Sequence, residues 1–184
     1  MLRGEISRPT GPARYAMSGR NHAPTLVLLT PVGGGLEPWA PLLPHLERFF
    51  RVLRLDLPAP ENADDALAVL DALGLDRAHW GALGSASVAL RVAVSAPKRV
   101  LRLVLVSVGD LSVGAAEATL EPARVLAPAL LVTSTGSTSA PPERVEQVQR
   151  QLVGAGLVVH DGGESFIADQ PDDLATTLIE FLRD

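Results

Sequence analysis

Residues 25–30 read Thr-Leu-Val-Leu-Leu-Thr and residues 31–35 read Pro-Val-Gly-Gly-Gly. A continuous apolar run of this length marks a strand buried on both faces, and the proline with the triple glycine ends it. A stripe of Trp39, Leu42, Leu43, Leu46, Phe49 and Phe50 follows, spaced for one face of a helix. Pro38 suits the start of that helix, and Pro44 is expected to kink or divide it.

The same grammar repeats along the chain. Further strands are expected at residues 51–57, 79–81, 101–107, 129–133 and 157–160. Between them lie helical faces: Ala66, Val69, Leu70 and Leu73, stopped by Gly74; residues 88–96, broken by Pro97; and Val145, Val148 and Leu152 behind Pro142. Leu174, Leu178, Phe181 and Leu182 make a closing helix. Strands alternating with helices at this pitch imply a mostly parallel sheet with helices on both faces. Ahead of this core, residues 13–17 suit a short strand, and residues 1–12 a loose N-terminal segment or an edge strand. Residues 109–128 are the least periodic. One domain spanning residues 1–184 is expected, with no linker inside it.

Composition excludes several classes. The net charge of −5 argues against a nucleic-acid partner, which needs a basic face. There is no cysteine, so disulfides, thiolate nucleophiles and zinc ribbons are ruled out. No apolar run is long enough to span a bilayer, and residues 1–20 lack a secretory h-region, so a cytoplasmic location is expected and no membrane association. His22, His45 and His79 read as surface or packing residues, no two histidines have metal-ligand spacing, and neither metal nor cofactor is expected. The glycine run meets Pro38 where a dinucleotide fingerprint needs its third glycine, and it has no P-loop lysine.

The order of these pieces resembles the α/β-hydrolase superfamily over residues 13–184. The resemblance rests on residues 24–29 (PTLVLL), the Gly33-Gly34-Gly35 loop before Trp39, and residues 51–58 (RVLRLDLP). It continues through residues 73–79 (LGLDRAH) leading into Trp80-Gly81, residues 95–107 (SAPKRVLRLVLVS), and Gln170-Pro171-Asp172-Asp173 with Phe181-Leu182. It implies an α/β-hydrolase fold with a lid that is minimal or absent, because only residues 108–128 fill the usual gap.

The family's chemistry uses a serine on a strand-to-helix elbow, a histidine, an acid and an oxyanion hole. Carried over, the serine position falls on Leu83 in Gly81-Ala82-Leu83-Gly84-Ser85. The acid position falls on Ser137 and the histidine position on Glu164, while the oxyanion-loop His-Gly reads Thr30-Pro31. Ser85 is a candidate displaced nucleophile, although a helix-opening serine is more often an N-cap. His160 lies near the lost histidine position, where a hydrogen-bonded structural role is the simpler reading. Asp161 and Glu164 offer a carboxylate pair, with solvated loop acids as the plainer alternative.

The resemblance therefore implies a non-hydrolytic relative, with no conventional serine-hydrolase activity. It would bind a small apolar molecule or a protein partner, such as an intact relative, through a cleft formed by Thr30, Pro31, Val32, Gly33, Leu83, Gly84, Ser85, Ser137 and Glu164. The alternatives are a cyclase, isomerase or lyase with Glu164 as acid/base, and a weak esterase using Ser85.

Overall fold

The computed structural model describes residues 1–31, 33–84, 86–110 and 121–184. An eight-stranded sheet runs through the described chain in the order β1-β2-β4-β3-β5-β6-β7-β8. Its strands are β1 (Leu2–Arg8), β2 (Gly11–Gly19), β3 (Thr25–Leu29), β4 (Arg51–Asp56), β5 (Ala78–Leu83), β6 (Val100–Val106), β7 (Ala129–Gly136) and β8 (Gly156–Gly163). β1, β2 and β4 pair antiparallel, whereas β4, β3, β5, β6, β7 and β8 pair parallel. The helices are α1 (Leu43–Leu46), α2 (Ala63–Ala72), α3 (Ser87–Ser95), α4 (Pro142–Gln149), α5 (Phe166–Asp169) and α6 (Pro171–Arg183).

The apolar runs are buried on both faces because two cores flank the sheet. In β3, Val27 and Leu29 join the core beneath α2, α3 and α4, while Leu26 and Leu28 join the core beneath α1, α5 and α6. β6 divides the same way, with Leu103 and Leu105 on one side and Val104 and Val106 on the other. Alternation is invisible in such strands because both pleat faces need apolar side chains.

Of its two expected forms, the N-terminal segment takes the edge strand. Residues 2–8 form the edge strand β1, paired from Leu2↔Met17 to Arg8↔Gly11 across a two-residue turn. A buried carboxylate fixes the hairpin tip: Asp65 of α2 accepts hydrogen bonds from Arg8 Nε (2.7 Å), Thr10 Oγ1 (2.6 Å) and Asn62 Nδ2 (2.8 Å). Burial alone would raise the Asp65 pKa, but these bonds overcome it and hold the group below its usual value. Asn62 also caps α2 by accepting from the Asp65 amide.

Pro44 divides the first helical stripe, as its ring requires. A 3₁₀ turn, Ala40–Leu42, runs into the four-residue α1, which carries Pro44 in its first turn. Phe49 and Phe50 fall beyond that helix. Among the described residues, no helix is long and apolar enough to cross a membrane.

Candidate functional site

The chain leaves β3 toward β4 on one side and later returns to β5 on the other. The strand order reverses there, and in open α/β sheets ligands bind at such a switch point, which makes the carboxyl ends of β3 and β5 the candidate site. Leu29 pairs with Ala82 there, so Thr30-Pro31 and Leu83-Gly84 leave the sheet side by side.

Each of these residues has a visible cause for its position. Leu83 is the last residue of β5 and is held in register by Val106. The left-handed backbone that makes the bend falls one residue later, at Gly84, with φ 70°. The Gly84 amide donates to the Val106 carbonyl at 2.9 Å. A Cβ on Gly84 would stand 3.1 Å from Pro31 Cγ, so the proline ring lies against the bend. The Thr30 hydroxyl donates to Gly35 O at 2.7 Å and closes the glycine loop. Trp39 Nε1 donates to Leu29 O at 2.9 Å and anchors the loop from below. Gly81 makes room for this arrangement, because a Cβ there would lie 2.8 Å from Leu28 Cδ2.

At the carboxyl ends of β7 and β8, Ser137 and Glu164 meet. Glu164 Oε2 accepts from the Thr138 amide (2.6 Å), the Thr138 hydroxyl (3.0 Å), the Ser139 amide (3.2 Å) and the Ser137 hydroxyl (3.3 Å). Its other oxygen accepts from the Ser139 hydroxyl. These bonds, the Ser139 hydroxyl first and the two amides next, draw the exposed Glu164 carboxyl down to about 2. A carboxylate so stabilised is a poor proton acceptor near neutrality. It acts as a tie between the two loops.

Solved structures share this architecture. A hydrolase from Pseudomonas aeruginosa PA01 superposes with a TM-score of 0.82 at 22% identity, covering 98% of each chain. An enol-lactonase from Burkholderia xenovorans LB400 gives 0.83 at 19% identity, over 98% of this chain and 100% of the other. A carboxylesterase from Bacillus subtilis gives 0.81 at 18%, over 98% and 91%. The chain has the α/β-hydrolase fold. No family model matches the sequence.

Within the α/β-hydrolase fold, the expected site residues have mixed fates. Thr30, Pro31, Gly33, Leu83 and Gly84 lie at the switch point where β3 and β5 exit, and Ser137 and Glu164 join each other at the β7 and β8 exits. Val32 and Ser85 lie outside the described residues, as do residues 111–120 of the lid gap. His160 does not end its strand as expected, since β8 continues to Gly163. Its Nε2 lies 3.1 Å from Thr177 Oγ1, and its ring stacks on Phe166 at 6.1 Å, which ties β8 to α5 and α6. Asp161 is exposed and is not among the partners that hold Glu164. Among the described residues, no hydroxyl, imidazole and carboxylate form a relay: the Thr177–His160 contact has no acid, and His45 pairs with Asp172 (3.1 Å) between α1 and α6. No group of three potential metal ligands occurs among them either.

Two residues at this edge escaped the sequence reading. Glu61, between β4 and α2, is pushed up to about 7, by burial first and by the neighbouring Asp56 second. Its signal is an acid in a proline-rich strand exit that itself begins beside an aspartate. Ser107 follows β6 with φ 52°, a left-handed backbone that is uncommon outside glycine. Its amide bonds Val132 O at 2.9 Å. Nothing in the local sequence marks that conformation.

Proposed function

We propose that this chain is a non-hydrolytic protein of the α/β-hydrolase fold, which binds a small apolar molecule or a protein partner in the switch-point crevice. One observation carries the reading: the described residues at which β5 turns out of the sheet, Leu83 and Gly84, have no nucleophilic atom. Three others support it. Pro31 offers no N–H for an oxyanion, the Thr30 hydroxyl is committed to Gly35, and Glu164 is locked onto Ser137, Thr138 and Ser139. Leu83 adds an aliphatic wall to the crevice, packed against the core that contains Trp39 and Phe166.

The test uses a fluorophosphonate probe and p-nitrophenyl butyrate on the wild type and on Ser85→Ala. The expected outcome is no labelled hydroxyl and ester turnover equal to buffer for both proteins. Labelling of any serine, or turnover that Ser85→Ala abolishes, overturns the proposal. Binding is read from tryptophan emission of the Trp80→Phe variant, which retains Trp39 alone, during titration with a short aliphatic or aryl probe. A response that Leu83→Asp removes supports the apolar cleft.

A second reading rests on Glu61. A carboxyl poised near 7 at the same sheet edge suits proton transfer, so a cyclase, isomerase or lyase would use Glu61 rather than Glu164. A turnover whose pH profile loses its limb near 7 in Glu61→Gln would favour it.

A further inference from the structure

The opposite edge of the sheet, where β3, β5 and β6 begin, carries a feature that the crevice does not need. A groove of about 430 Å³ lies there, a volume within the range of small-molecule sites. Its walls are apolar, formed by Phe49 and Phe50 after α1, Leu101 on β6 and Leu182 on α6. Its charges are Arg102, Arg183 and a single opposing side-chain carboxylate, Asp184.

Neither arginine is spent on an ion pair among the described residues. Each instead lies over a phenyl ring: Arg102 is 5.3 Å from the Phe181 centroid and Arg183 is 4.8 Å from that of Phe49. Stacking holds each planar fork in place, so less side-chain freedom is lost when it binds a carboxylate. His79 of β5 lines the same groove and is 7% exposed, edge-on to Phe50 at 5.8 Å. Its Nδ1 is enclosed without a hydrogen-bond partner. Burial first, and Arg102 second, bring the His79 pKa down to about 4. The imidazole is therefore neutral at pH 7, and the side chains lining the groove carry two positive charges against one negative in a chain whose net charge is −5.

An unpaired cation pair, an apolar trough and an unpartnered buried imidazole together lack one thing, an anion with a greasy body. The geometry points to this groove as a binding site for a small organic carboxylate with an aryl or medium-chain alkyl tail. The tail lies along Phe49, Phe50, Leu101 and Leu182, and the carboxylate meets Arg102 and Arg183. The site is independent of the crevice at the other sheet edge, so it stands or falls apart from the proposed function.

Octanoate is the probe, with octanol and inorganic phosphate as controls, read by calorimetry and by the histidine ring resonances. In the wild type, octanoate is expected to shift the His79 resonance saturably and to leave that of the exposed His22 in place. Binding neutralises the field of Arg102, so the His79 pKa rises in the complex. Arg102→Met and Arg183→Met each weaken octanoate binding by about ten- to a hundredfold, the loss of one charge-assisted contact. Octanol and phosphate alone bind far more weakly. The inference is overturned by the absence of a saturable His79 shift, by octanol or phosphate binding as tightly as octanoate, or by wild-type affinity in both arginine variants. The wild-type resonance measurement decides the matter even if a variant fails to fold.

Discussion

Replacing Gly84 by alanine puts a number on the bend between β5 and α3. At φ 70° a Cβ meets the following carbonyl, which costs about 1–2 kcal/mol. The loss of freedom in the unfolded chain offsets roughly 0.4–1 kcal/mol of that. The new carbon also stands 3.1 Å from Pro31 Cγ, so the ring must retreat by a few tenths of an ångström. The expected result is a net loss of about 1 kcal/mol from the backbone, with the contact added, or about 2–4 °C in Tm per kcal/mol for a chain of this size. Gly74→Ala is the control, because Gly74 has φ 66° and nothing within 4 Å of a built Cβ. It carries the same backbone strain without the contact. Urea unfolding of both variants should show Gly84→Ala as the costlier. Pro31→Ala in the Gly84→Ala background should recover the difference, as contacting residues couple in a double-mutant cycle. The reasoning is refuted if Gly84→Ala is no more damaging than Gly74→Ala, since the bend would then lie elsewhere or Pro31 would not cover it. Gly84→Ser should likewise yield no esterase, because the imidazole that stands with an acid, His45 beside Asp172, is held between α1 and α6, and no histidine contact is seen at the bend among the described residues.

Three further outcomes follow from the polar groups. Asp65→Asn should cost about 2–3 kcal/mol in urea unfolding, because it breaks a buried charge-assisted contact while the Arg8 side chain, 28% exposed, regains some water. Glu164 has a depressed folded pKa, so its stabilisation is complete above the ordinary value of 4.5 and is lost as pH falls through about 2. The Tm gap between wild type and Glu164→Ala should therefore close across that window, and a gap independent of pH would contradict the clamp. Glu61 behaves oppositely: its raised folded pKa means that the native state holds a proton which the unfolded state gives up between about 4.5 and about 7. Stability should fall as pH rises through that interval, and Glu61→Gln should flatten the slope in thermal melts taken at pH 5 and pH 8.

The hairpin shows where sequence reading stopped. β1 is polar and largely exposed, so no hydrophobic pattern announces it, and its strand geometry comes from backbone pairing with β2 and from the Asp65 anchor. The bend shows a subtler limit. Sequence order places Leu83 at the elbow, whereas pairing with Val106 keeps Leu83 in the strand and passes the left-handed conformation to Gly84. Ser137 and Glu164 were offered by the resemblance as site positions, but that they bond to each other depends on β7 and β8 exiting side by side. His79 was expected as a surface or packing residue, and it does pack on Phe50. The groove beside it exists only because the end of α6 returns to the sheet.

Local physics is written in the chain. Doubly apolar runs demand cover on both faces, Pro44 divides its helix, and a glycine at position 84 tolerates the left-handed backbone there without strain. Long-range registration is not written there. Which strand exits meet at the switch point, that Glu164 takes up the hydroxyls of residues 137–139 and which cations go unpaired are set by contacts between residues far apart in sequence. Those contacts depend on how the sheet pairs and how the helices seat on it, and no window of sequence contains both partners.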